Sequence, residues 1–187
     1  MALRLGDPTA KLLGRLTLNP LVHLDPLGTL IFIIPPHIGW AKPVPVDVRY
    51  LKHPRRDMMW IALAGPVSNI ILAFAFGMIL RGMNAIGHDF SSPAVRALFN
   101  MVAWSVFLNL SLAAFNMIPI FPLDGSKVLT GLLSPTAAAR FQQLEPIGPI
   151  ILLGIILIGS FSGVSVIGRI ISPVTSTLGS LFTGGIL

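Results

Sequence analysis

The sequence predicts an all-α polytopic membrane protein of about three transmembrane helices, with a small Pro-rich β element at the cytoplasmic face. Three observations carry this expectation. Of the 187 residues, 53% are hydrophobic and only 11% are charged, against roughly 25% charged residues in soluble domains. The mean hydropathy is +0.82. Three long stretches contain no Asp, Glu, Lys or Arg. Such a chain has too little polar surface to coat a water-soluble globule, and residues 1–187 suit one membrane-embedded domain with the lipid bilayer as its first partner.

The three spans are 58–80, 98–118 and 146–168. Crossing a bilayer as a helix takes about 20 apolar residues at about 1.5 Å of rise each, and all three stretches reach that length. Residues 170–187 are also uncharged but are interrupted by Pro173, Gly179, Gly184 and Gly185. They read as a tail, interfacial or loose, and not as a fourth span.

Residues 16–57 differ. Pro20, Pro26, Pro35, Pro36, Pro43, Pro45 and Pro54 exclude long helices there. Val44, Val46, Val48 and Tyr50 alternate with Pro45, Asp47 and Arg49, the period of a strand with one buried face. The short apolar run 28–34 is its expected partner. That run is too short to cross a bilayer as a strand, which takes about 9–11 residues. A small β element at the membrane surface follows.

The net charge is +6 and the pI about 10.9. The basic residues form no dense patch with interleaved aromatics, so nucleic acid is not an expected partner. They flank the apolar spans instead. Ten of them fall in 1–57 and 119–145, and three (Arg81, Arg96 and Arg169) fall on the other side. This bias predicts a multi-pass cell-membrane protein with 1–57 and 119–145 in the cytoplasm. There is no cysteine, so any metal needs His, Asp or Glu.

Two segments carry candidate chemistry. Ala64-Gly65-Pro66-Val67-Ser68-Asn69 lies inside the first span. Its small residues permit close helix contact, and Pro66 frees a carbonyl that Ser68 or Asn69 is placed to satisfy. On the residues alone, this is a packing notch. Asn116-Met117-Ile118-Pro119-Ile120-Phe121-Pro122-Leu123-Asp124-Gly125 breaks the second span at its end. A carboxylate at membrane depth is costly unless paired or metal-bound, which makes Asp124 a functional candidate. The residues equally allow Asp124 to sit in head-group water and cap a helix over 125–133.

Together the two segments resemble signatures of the site-2 protease family of intramembrane metallopeptidases. These are a Gly-Pro stretch with a following Asn, and an Asn-Pro run ending in Leu-Asp-Gly. Four further stretches resemble the small bacterial branch: Leu5-Gly6-Asp7-Pro8-Thr9-Ala10, Leu18-Asn19-Pro20 through His23, Asp25-Pro26-Leu27-Gly28-Thr29, and Trp40-Ala41-Lys42-Pro43-Val44-Pro45. The resemblance covers nearly all of residues 2–145. It implies a zinc-dependent endopeptidase that cleaves transmembrane segments of other proteins. By that resemblance Asp124 is the third zinc ligand, Asn116 positions the substrate, and Asn69 supports the site.

The family's HExxH, which supplies two histidine ligands and the general base, is absent. His23, His37, His53 and His88 are not spaced i, i+4, whereas two imidazoles must share one helix face. The run 1–15 resembles the end of the HExxH helix and its exit. The expectation is therefore a chain cut through that helix, inactive as it stands and holding no stoichiometric zinc. Two further readings stand beside it. One is a non-catalytic membrane scaffold of the same fold. The other is a small transporter, suggested by a Pro/Gly-broken span near Asn109, Asn116 and Asp124.

Overall fold

The computed structural model describes residues 1–33, 41–86, 92–162 and 165–186. His37, His88, Pro35, Pro36 and Trp40 lie outside them. The chain divides into two compact units, Met1–Asp57 and Met58–Leu187.

In the first unit, a 3-10 turn at Ala2–Leu5 closes on Gly6, whose φ of 107° favours glycine. One helical turn follows, α1 (Thr9–Leu12). Helix α2 (Pro26–Ile33) starts where the Asp25 carboxylate accepts the Gly28 N–H at 2.8 Å. The expected β element is corrected here. The run 28–33 is helical, and Val48–Tyr50 is a 3-10 turn capped by Asp47, whose carboxylate accepts the Arg49 N–H. Among the described residues the pairing reduces to one isolated antiparallel bridge, Leu24 with Ala41. The physical reason is local. Pro43 and Pro45 have no N–H for a ladder, and the Asp47 N–H is taken by the Asp7 carboxylate at 3.0 Å.

Two buried polar side chains hold this unit. Asp7 is fully buried and accepts bonds from the Thr9 N–H, the Thr9 hydroxyl and the Asp47 N–H. The Thr9 hydroxyl does most to hold its carboxyl below the usual carboxylate range. Buried Arg15 donates to the carbonyls of Val22, Lys42 and Pro43, which ties the Pro-rich segment to α1. The exposed Arg49–Asp47 pair adds little to stability.

The second unit is helical. Helix α3 (Pro54–Ala85) and helix α4 (Pro93–Asn116) are long and apolar enough to cross a membrane. Only 22% and 28% of their most apolar windows are buried within the protein. A soluble core helix would be mostly covered. These two helices coincide with the first two expected spans, 58–80 and 98–118. Pro66 stays within α3, and Ser68 Oγ donates to the Ala64 carbonyl at 2.6 Å. The carbonyl Pro66 frees is that of Ala62, one turn before it, so Ser68 is not the replacement donor the sequence suggested.

Of the third expected span, 146–168, residues 163 and 164 lie outside the described residues. Helix α7 (Gly148–Ser162) has 15 residues, about 22 Å at 1.5 Å per residue, less than the roughly 30 Å hydrocarbon core. The expected tail is a helix, α8 (Val166–Thr183). Ser165 Oγ caps its start by accepting the Gly168 N–H at 2.8 Å, and Gly184, with φ 72°, closes its end. Helix α8 packs along α4. Ala73, Leu80, Val102, Val106 and Leu110 form the buried cluster, with Leu178 and Phe182 of α8 against it. Gly77 of α3 admits Phe182, and Arg81 donates to the Leu181 carbonyl.

Candidate metal-ligand turn between two spanning helices

Helix α4 ends at Asn116, and Pro119 and Pro122 prevent its continuation. The turn that follows is held from within. The Ile120 N–H reaches Ile118 O at 2.8 Å, and the Leu123 N–H reaches Ile120 O at 2.9 Å. Ile118, Phe121 and Leu123 are buried and anchor it. The Phe121 ring stacks on Phe141 of α6 (Pro135–Gln142) with centroids 5.1 Å apart. Helix α5 (Asp124–Leu132) then begins, with Leu123 in the cap position. Asp124 is therefore in the first turn and makes no capping bond. The capping alternative left open by the sequence is not what the structure shows.

Two glycines set where Asp124 lies. A Cβ built on Gly125 would stand 2.2 Å from the Met117 carbonyl oxygen and 2.6 Å from that of Ile118. Only a residue without a side chain lets the start of α5 fold this tightly onto the end of α4. On the other side, a Cβ on Gly65 of α3 would stand 3.4 Å from Asp124 Oδ2. The Gly-Pro motif of α3 and the Leu-Asp-Gly motif thus meet at the Asp124 carboxylate, which is half-buried.

Asn116 is the residue before Met117, so its backbone borders this contact. Its side-chain amide turns back along its own helix and donates to the Leu112 carbonyl at 3.0 Å. Asn69 lies one turn beyond Gly65 on the same side of α3. Sequence reasoning named Asp124, Asn116 and Asn69. It named Gly65 only as part of a packing notch and did not see that Gly125 packs against the Met117 and Ile118 carbonyls. Gly125 was visible within Leu-Asp-Gly, but the backbone it approaches was not.

Comparison with known proteins places the chain. A model described as Peptidase family M50 matches residues 80–159, which include the Asn116–Gly125 turn. "Putative zinc metalloprotease YwhC" of Bacillus subtilis is 41% identical over 153 residues, covering 82% of this chain and 69% of that protein. The chain belongs to peptidase family M50. The Rip2 protein of Mycolicibacterium smegmatis, under the same description, is 29% identical over 163 residues, covering 83% of this chain and 59% of that protein's length. MJ0611 of Methanocaldococcus jannaschii is 41% identical over 69 residues, or 37% of this chain. No solved structure matches. Membership of M50, the site-2 proteases, agrees with the resemblance carried by the motifs and implies zinc in complete members.

A catalytic zinc takes three protein ligands and an open position. Among the described residues no three His, Cys, Asp or Glu side chains cluster to hold a metal. The described residues therefore do not fit a catalytic zinc by themselves. At this turn they offer one carboxylate oxygen donor, Asp124.

Proposed function

We propose that this M50 chain carries the aspartate half of an intramembrane zinc endopeptidase that cleaves membrane-embedded segments of other proteins. Asp124 serves as the third zinc ligand, Asn116 positions the substrate, and Asn69 supports the turn. The observation that carries this reading is the meeting of Gly65 with Asp124 Oδ2, where a Cβ would fall at 3.4 Å. Two motifs more than fifty residues apart meet at one carboxylate just past the end of helix α4. Simple helix packing has no need of a carboxylate there.

The protein resides in the cell membrane with 1–57 and 119–145 on the cytoplasmic side, as the basic residues direct. The 187-residue chain alone hydrolyses no peptide, because its sequence contains neither the two i, i+4 histidines nor the glutamate between them. The same lack favours a second reading, a non-catalytic scaffold of the M50 fold that binds membrane partners. The reading frame upstream of Met1 separates the two. The peptidase reading expects an apolar helix with HExxH, its second histidine roughly three or four residues before Met1, about one helical turn. An in-frame stop with no such codons contradicts it and leaves the scaffold.

A further inference from the structure

Resting on the peptidase reading, we propose that an apolar cavity beside the Asp124 turn is a specificity pocket for one large aliphatic or aromatic side chain of the substrate. The cavity measures about 330 Å³. Ile70 of α3, Ala113, Met117 and Pro119 at the end of α4, and Ile170 and Val174 of α8 line it. Its floor is the point of interest. Met117 and Ile118 line the cavity, and the same two residues supply the carbonyls against which Gly125 is packed. The pocket and the Asp124 turn therefore share one short stretch of backbone.

The room has a definite origin. Helix α4 stops at Asn116 because of the prolines, and Ala113 and Ala114 just before the stop are small and buried. The break that presents Asp124 also opens the cavity.

Size and chemistry select the occupant. The pocket is open on one side and has room for a Leu, Ile, Phe or Trp side chain. It is too small for a helix laid in a groove, which needs several anchors at i, i+3, i+4 and i+7. Every lining side chain is apolar, so a charged or amide side chain entering it would go unpartnered. A substrate segment must also be unwound locally for its peptide bond to be reached. In an extended segment neighbouring side chains point to opposite faces, so one pocket reads one residue. The occupant is thus a single bulky apolar residue of the segment to be cleaved.

The test uses the full chain in lipid nanodiscs and an apolar peptide of about 20 residues bearing one photo-reactive leucine analogue. Cross-links are expected to concentrate on Met117 and Val174. Val174→Phe fills the pocket and should lower that cross-linking about tenfold, the ratio that a modest overpacking penalty gives. Val174→Ala enlarges it and should raise capture of a photo-reactive tryptophan analogue while keeping that of leucine. Cross-links spread evenly over α4 and α8, or indifferent to both variants, overturn the pocket. So does labelling of Val174 by a photo-reactive lipid that the peptide fails to displace, since the occupant is then an acyl chain. In a form of the protein lengthened to include HExxH, cleavage with a size preference unmoved by either variant sinks the pocket and leaves the peptidase reading intact. Val174-dependent cross-linking without cleavage of any peptide does the reverse.

Discussion

Replacing Gly125 by Ala is the sharpest perturbation of the turn that presents Asp124. The added Cβ would lie 2.2 Å from Met117 O, 2.4 Å from Met117 C and 2.6 Å from Ile118 O. These are backbone atoms, so no side chain can rotate away. Ordinary contact begins at 3.4 Å, so the two backbones must part by about 1.2 Å. Ile118 and Leu123 are buried on either side of the contact, and that packing must shift with it. The cost is about 3 kcal/mol, in the range of overpacking a close-packed site. For a chain of this size it corresponds to a fall in Tm of roughly 6–12 °C. Gly154→Ala is the matched control. Gly154 lies inside α7 with nothing within 4 Å of its built Cβ, so there alanine should be neutral or stabilising by up to about 1 kcal/mol. Thermal unfolding in detergent, followed by far-UV circular dichroism, compares the two. Equal melting of the two variants would refute the tight-turn argument.

Two further predictions concern other contacts. Gly77→Ala places a Cβ 2.9 Å from the Phe182 backbone and Cβ. It should loosen α8 from α3 by about 1–2 kcal/mol, seen as faster hydrogen exchange confined to α8, and unchanged exchange there would count against the packing described. In the first unit, Thr9→Val removes the hydroxyl that does most to hold the Asp7 carboxyl below 3.8. A lowered folded pKa stabilises fully above the unfolded value, and that stability is lost as pH falls through the folded value, here below 3.8. The variant's Asp7 titration, read by carbon-13 carboxyl shifts, should move up toward the usual carboxylate range, and a midpoint equal to wild type contradicts the assignment.

The parts of the fold written in charge were legible. Asp57 and Arg81 bracket the apolar run of α3, and the uncharged run after Arg96 gives α4. What depends on packing was not. Helix α8 looked too polar, but Thr175, Ser176 and Thr183 donate to carbonyls of their own helix, which removes their cost in an apolar setting. The valine alternation at 44–48 imitated a strand, but prolines within it removed the donors a ladder needs. At the site, Asp124 and Asn116 were legible as residue types on a broken helix. What approaches Gly65 and Gly125 was not, because it is set by tertiary packing.

The central proposal is that Asp124 serves as a zinc ligand in a complete M50 peptidase. The most direct test is zinc content by elemental analysis of three purified proteins. These are the 187-residue chain, a form lengthened upstream to include HExxH, and that longer form with Asp124→Ala. The account predicts no tightly held zinc in the first, about one per chain in the second, and in the third a zinc affinity lowered by more than the roughly tenfold that losing even an outer-shell partner costs. A longer form that holds zinc equally well without Asp124 would contradict the claim. A 187-residue chain that holds one zinc by itself would also contradict it, and would point to a different site involving His23 or His37.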